Sequence, residues 1–293
     1  MSKGRVTHRG IFIWLCILAA AFHARAVQAQ SADRTSVSGD FAVLGANLAL
    51  GALSAGLGAW LSDRSFSDAF ARGALGGAIG YAGKRIVVTE WPFGPALGRS
   101  VAAAGNSIIT SAYRGSRLLD SLQIPVGFMR LTFPTNRPAL PNVELNLRGL
   151  AATLFAATQP DLSLDWGRSL AALTPVFDAQ RSRIRSNDRF VDGLAIASVV
   201  LLDGSPLGQS DRVFRHEMVH ILQHDFMDMV WDRPAETWAR QQIPWAGYVP
   251  RFIFAGVLVP YVVGGIDAIG RGDGVFRSAK EEEATWFERK RQD

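Results

Sequence analysis

From Phe41 to Leu61 the chain is almost continuously apolar, with only Asn47 and Ser54 clearly polar. That length matches a bilayer-crossing helix, although Ala and Gly supply much of it and keep its hydrophobicity mild. Phe66 to Val88 follows, carrying Gly73, Gly76, Gly77, Gly80 and Gly83 at three- and four-residue spacings. Small residues so spaced lie on shared helix faces and let backbones approach closely. The pattern predicts a tightly packed helical hairpin, membrane-embedded or buried, turning at Asp63 and Arg64, with Asp68 and Arg72 nearby. Gly94 to Arg114, after Trp91-Pro-Phe-Gly-Pro, reads as a third helix.

Beyond Leu122 the pattern shifts towards short extended runs. Ile124 to Phe133, Val143 to Arg148 and Leu162 to Trp166 read as strands, and Leu150 to Thr158 and Leu170 to Phe177 as continuations of them. Pro134-Thr-Asn, Pro138, Pro141-Asn142 and Gln159-Pro-Asp161 punctuate the series, which predicts an antiparallel meander. Arg181 to Arg189 reads as a solvated loop, and the apolar run Gly193 to Leu202 as one buried strand. Asp211 to His224 is then helical, capped by Ser210 or Asp211. At 100° per residue, Phe214, Met218, Ile221, Leu222 and Met229 share one face. His216, His220, Gln223 and Met227 share the opposite face, which is expected to line a cleft. Asp232 to Trp238 opens a short helix, and Lys280 to Lys290 forms another. Arg251 to Ile266, apolar and broken by Pro260, is short for a span and fits a core helix or a re-entrant segment. The fold class is therefore α+β: a Gly/Ala-rich helical region over residues 30–115, then a domain over 116–293 with a small antiparallel sheet packed on the histidine-bearing helix. Membrane contact, if present, runs through 41–61, 66–88 and 252–266.

Composition changes this picture at one end. Lys3, Arg5 and Arg9 precede the apolar Ile11 to Ala21, and Ala24-Arg-Ala26 and Val27-Gln-Ala29 are small-x-small sites. Residues 1–29 read as a secretory signal, with an uncleaved anchor as the alternative. The expected location is therefore exported: the periplasm or cell envelope. The formal charge is +5. Lys3, Arg5, Arg9 and Arg25 supply four of those charges, so the remaining chain is nearly neutral and implies no nucleic-acid partner. The one cysteine, Cys16, lies within the same segment. A mature chain without it has no disulfide and no thiolate ligand, which leaves His, Glu and Asp to hold a metal.

That chemistry is concentrated at His216-Glu-Met-Val-His220. Of the five histidines, three (His216, His220 and His224) fall within nine residues. Histidines four apart stack on one helix face and can share an ion. Glu217, about 100° round the helix, is placed to act as a general base on water rather than to ligate. His224 sits roughly 12 Å along the helix from His216, too far to join both histidines on one ion, and reads as a cleft-lining residue.

His216-Glu-x-x-His220 with Gln223 and His224, followed by Glu281-Glu-Glu-Ala284, resembles the gluzincin metallopeptidases over some 90 residues of the C-terminal part. The resemblance implies a zincin-like active-site helix, a Zn²⁺ cofactor, a distant glutamate as third ligand and a peptide or protein substrate. It also implies a zinc peptidase mechanism with His216 and His220 as ligands and Glu217 as base. For the third ligand Glu281, Glu236 and Glu283 remain open, with Glu281 favoured. Its neighbours three and four residues on, Ala284 and Thr285, are small enough for close helix packing, whereas Glu283 is followed by Trp286 and Phe287. The family pattern E-x-E-A-x-x-F also places Glu281 as ligand, but Thr285 stands where Asp often supports a ligand histidine, implying a weaker supporting bond there. The alternative is a non-catalytic envelope or membrane-associated protein with a structural or vestigial metal site. The presence of Glu217 argues against it, since a structural site needs no base.

Overall fold

The structure is a computed structural model. It describes residues 37–179, 185–186, 189–206, 210–232, 253–254, 281 and 283–287. The expected signal over 1–29, the helix after Asp232, Glu236, and most of 252–266 lie outside these residues.

Three helices open the described chain: α1 (Val37–Leu61), α2 (Phe66–Val87) and α3 (Gly94–Tyr113). Ser65 caps α2, its hydroxyl accepting the Asp68 N–H. The glycine spacing does what it predicts. A Cβ on Gly77 would lie 2.2 Å from the Asn47 carbonyl oxygen, and one on Gly51 would lie 2.3 Å from that of Gly73. On the other side of α2, a Cβ on Gly98 would come 2.5 Å from the Gly83 carbonyl oxygen. So α2 touches α1 and α3 backbone to backbone. Within α1, Asp40–Trp60 is long and apolar enough to cross a membrane, with 39% of it buried inside the protein.

The strands β1 (Ser121–Val126) and β2 (Met129–Pro134) pair antiparallel, and β3 (Asn142–Asn146) adds to β2. The expected single run Ile124 to Phe133 is thus a hairpin, and the correction is local. Gly127 sits at φ 55°, a left-handed conformation that glycine adopts freely, and reverses the chain. Two further expected strands meet helices: Leu150 to Thr158 lies in α4 (Leu147–Thr158), and Leu170 to Phe177 is divided, its start ending α5 (Trp166–Ala172) while Val176 and Phe177 are strand as expected. Each has a cap whose signal outweighs the apolar run that follows. Asn146 accepts the Gly149 N–H and Asp165 accepts the Arg168 N–H.

A second sheet has the order β4 (Leu162–Leu164), β5 (Val176–Ala179), β9 (Val199–Leu202), β8 (Gly193–Ile196). β5 and β9 pair in parallel, so this sheet is not a continuation of the meander. The run Gly193 to Leu202, expected as one strand, is a hairpin turning at Ala197, which has φ 54°. Part of the expected solvated loop pairs as β6 (Arg185–Ser186) with β7 (Arg189–Phe190). Ile253 and Phe254, in a segment read as helical or re-entrant, form β10 and pair parallel with β3. The architecture is α+β, as expected.

The histidine helix, α6 (Asp211–Phe226), is capped by Ser210 and continues into a π-helical turn, Met227–Asp232. Its apolar face reads correctly: Phe214, Met218, Ile221 and Leu222 are buried. They join one cluster with Val43 and Val87 from the first two helices, Val176, Val200 and Leu202 from the second sheet, and Ala284 and Phe287. On the face expected to line a cleft, His220 and Gln223 are buried and His216 and Met227 half-buried. Arg215, Glu217 and Asp225 elsewhere on the helix are buried too. Arg99 of α3 grips Asp225 through Nε (2.7 Å) and Nη2 (3.0 Å), and Arg215 donates to the Val87 carbonyl.

Candidate metal centre

One turn of α6 brings the two imidazoles together. His216 Nε2 and His220 Nε2 are 3.2 Å apart. Glu281 Oε2 lies 3.5 Å from the first and 3.4 Å from the second. Three electron-pair donors thus converge in a nearly equilateral triangle. Tetrahedral coordination at 2.0–2.1 Å spaces its ligand atoms about 3.3–3.4 Å apart, so an ion of that size fits on all three. The His216, His220 and Glu281 group could hold a metal ion. His216 and His220, each within 3.5 Å of it, hold the Glu281 carboxyl well below the usual carboxylate range, against the opposing effect of its partial burial. Its side chain is 52% exposed while the histidines are 17% and 11%, so the centre reaches solvent on the Glu281 side.

No known family model, curated protein or solved structure matches the chain.

Glu217 is buried beside this triangle. Burial pushes its carboxyl up; the nearby His220 and His216 oppose the rise, Glu281 adds to it, and an N–H from Ala195 opposes it. Ala195 belongs to β8, which ends the strand order of its sheet and so presents an outer edge with no paired strand among the described residues. The contact between β8 and α6 depends on Gly193. A Cβ there would come 2.7 Å from Val213 Cγ1 and 2.8 Å from Glu217 Cγ. Sequence inspection missed Gly193, because a glycine at a strand start carries no signal of which helix it faces.

The other candidate ligands separate cleanly. Glu283 is 2% exposed and is not part of the metal-capable group among the described residues. Its Oε1 accepts from Lys84 Nζ (2.6 Å) and Asn47 Nδ2 (3.0 Å), and its Oε2 from Gln223 Nε2 (2.8 Å). Glu236 lies outside the described residues. His224 is not part of the metal-capable group among the described residues. For His220 the supporting partner is Gln223 of the same helix, its Oε1 2.9 Å from His220 Nδ1. Lys84 and Asn47 were not anticipated at the site. The available signal was Asn47, one of two clearly polar residues in an apolar run: a polar group there must find a partner if it is buried.

Proposed function

We propose that the protein is a zinc-dependent hydrolase acting on peptide bonds, with His216, His220 and Glu281 as ligands and Glu217 as general base. The observation that carries this reading is the triangle of donor atoms, 3.2 to 3.5 Å on a side, with a buried carboxyl next to it. A zinc ion held there supplies Lewis acidity, polarising a scissile carbonyl and acidifying water. Glu217, its proton affinity raised by burial, takes a proton from the attacking water and returns it to the departing amine. The Ala195 N–H fixes the carboxylate's orientation during both transfers. An extended peptide suits this reading as substrate, since β8 ends its sheet among the described residues and its backbone groups other than the Ala195 N–H can pair with a strand laid along it.

The test combines binding with turnover. Zinc added to the metal-free protein should raise the thermal unfolding midpoint, as any ligand that binds only the folded state does. His216→Ala and His220→Ala should abolish that rise. Glu217→Gln should keep it while losing chelator-sensitive cleavage of a mixed peptide library by at least about 100-fold. Full cleavage by Glu217→Gln would remove the base assignment. Zinc stabilisation without any chelator-sensitive cleavage by the unaltered protein would replace the peptidase with a structural metal site.

A further inference from the structure

His220 does not stand alone behind its ligating nitrogen. Four side chains follow it inward: Gln223, Glu283, Lys84 and Asn47, each no more than 7% exposed. They come from α6, the helical residues 283–287, α2 and α1 in turn. Gln223 Oε1 faces His220 Nδ1 at 2.9 Å, and Gln223 Nε2 donates to Glu283 Oε2 at 2.8 Å. Glu283 Oε1 accepts from Lys84 Nζ and Asn47 Nδ2, and Lys84 also donates to Asn47 Oδ1 at 2.9 Å.

The order of donors along this chain is forced. An ionised carboxylate only accepts, so Glu283, paired with the Lys84 ammonium at 2.6 Å, requires the NH₂ side of the Gln223 amide. The carbonyl side of that amide must then face His220. An acceptor at Nδ1 requires the imidazole to carry its proton there. In the neutral imidazole Nε2 then keeps its lone pair, on the side that faces His216 and Glu281. Were the amide reversed, its NH₂ would face Nδ1 and the proton would move to Nε2, where it blocks ligation.

We propose that Lys84 and Asn47, through Glu283 and Gln223, are positioning residues that set the tautomer of His220 and so prepare the metal centre. This inference rests on the metal-binding reading above and assigns to the N-terminal helix pair a direct part in it. The same helical segment delivers Glu281, and it docks on α2 through Tyr81, whose ring centroid is 5.7 Å from that of Phe287. The helix pair therefore governs two of the three ligands, one by tautomer and one by placement.

The experiment uses the full chain with ¹⁵N-labelled histidine and reads the His220 tautomer by long-range ¹H–¹⁵N correlation in metal-free protein. Zinc affinity is measured in parallel by competition with a chromophoric chelator. The unaltered protein should show Nδ1–H; a dominant Nε2–H form overturns the proposal whatever the zinc result. Glu283→Gln should give a mixture of tautomers and a roughly 10- to 100-fold loss of zinc affinity, the usual effect of removing a ligand's supporting partner. If that variant does not fold, the double variant Lys84→Met/Glu283→Gln leaves no unpaired buried charge and should show the same two changes. A folded variant that keeps both the Nδ1–H tautomer and full zinc affinity sinks the proposal, because a merely structural ion pair would alter stability alone. Absence of zinc binding by the unaltered protein counts against the metal reading, and the tautomer measurement still decides the network.

Discussion

The helical layer and the histidine helix are held by opposite means. Between α1, α2 and α3 the contacts are made where side chains are missing: Gly51 against Gly73, Gly77 against Asn47, Gly83 against Gly98. Around α6 they are made by long polar side chains meeting in the interior: Arg99 with Asp225, Lys84 with Glu283, Gln223 with Glu283. The first kind of contact follows from spacing within a helix. The second joins residues far apart in sequence, 126 positions for Arg99 and Asp225 and 236 for Asn47 and Glu283. The two should therefore fail differently: the glycine layer by steric overlap, in either size or position, and the polar belt by loss of a single partner.

The largest effect is expected in the polar belt. Arg99→Met leaves Asp225 buried without its cation, and breaking such a pair costs about 3–5 kcal/mol. Chemical unfolding monitored by circular dichroism measures it. The double variant Arg99→Met/Asp225→Leu should recover most of the loss, because the unpaired charge and not the missing bond is the main penalty. A cost under about 1 kcal/mol for Arg99→Met would show that water or another group reaches Asp225 and would erase the contrast.

Next comes the layer itself. Gly77→Ala inserts a methyl 2.2 Å from a carbonyl oxygen of Asn47, so α1 and α2 must separate. Overpacking of this sort costs about 1–3 kcal/mol. The shift would also move Asn47, which donates to Glu283, so the same variant should weaken zinc binding. A variant as stable as the unaltered protein would mean that the helices slide apart freely, and the backbone contact would lose its significance.

Asp228 offers a test by pH. It lies in the π-helical turn after α6, where Asn146 Nδ2 donates to it at 2.7 Å. Burial is the main cause that raises its carboxyl to about 7; Arg130 and Arg148 oppose the rise, and Asp232 and Asp225 add to it. A folded-state value above the ordinary 3.8 means the folded protein holds a proton that the unfolded chain has released. The resulting stability is complete below about pH 4 and is lost as pH rises through about 7. Asp228→Asn cannot lose it. The stability of the variant relative to the unaltered protein should therefore increase from pH 4 to pH 7 and level off above. A constant difference across that range would show that Asp228 is ionised throughout.

Legibility in the sequence divides along the same line. The helix α1 was legible from its long apolar run, α2 from its glycine spacing and the apolar face of α6 from its period, all of them properties of one continuous segment. The approach of His216 and His220 was legible because one helical turn brings them together, and Glu281, favoured for its small neighbours Ala284 and Thr285, joins them in the metal-capable group. Strand and helix were confused where a cap decided the matter, at Asn146 and Asp165. Hairpins were read as single strands where a left-handed residue turned the chain, at Gly127 and Ala197. Lys84 and Asn47 were missed as site residues because their partner is reached only after the whole chain has folded.

The smallest expected effect isolates direction within the glycine layer. Gly80 lies in the middle of α2, and its backbone is part of the seam: a Cβ on Gly105 would come 2.8 Å from its nitrogen. A Cβ on Gly80 itself would meet nothing within 4 Å. The two glycines thus face the same junction with opposite requirements. Gly105→Ala pushes a methyl into α2 and should destabilise. Gly80→Ala fills open space and removes the conformational freedom that glycine must give up on entering a helix, so it should stabilise by about 0.5–1 kcal/mol. Thermal unfolding of the two single variants at one pH is sufficient. If Gly80→Ala also destabilises, glycine is needed along α2 for backbone conformation and not for contact, and spacing alone would no longer explain the layer. If the signs are opposite, contact is the reason for glycine at Gly105, and Gly80 is a position where a side chain can be added without moving a helix.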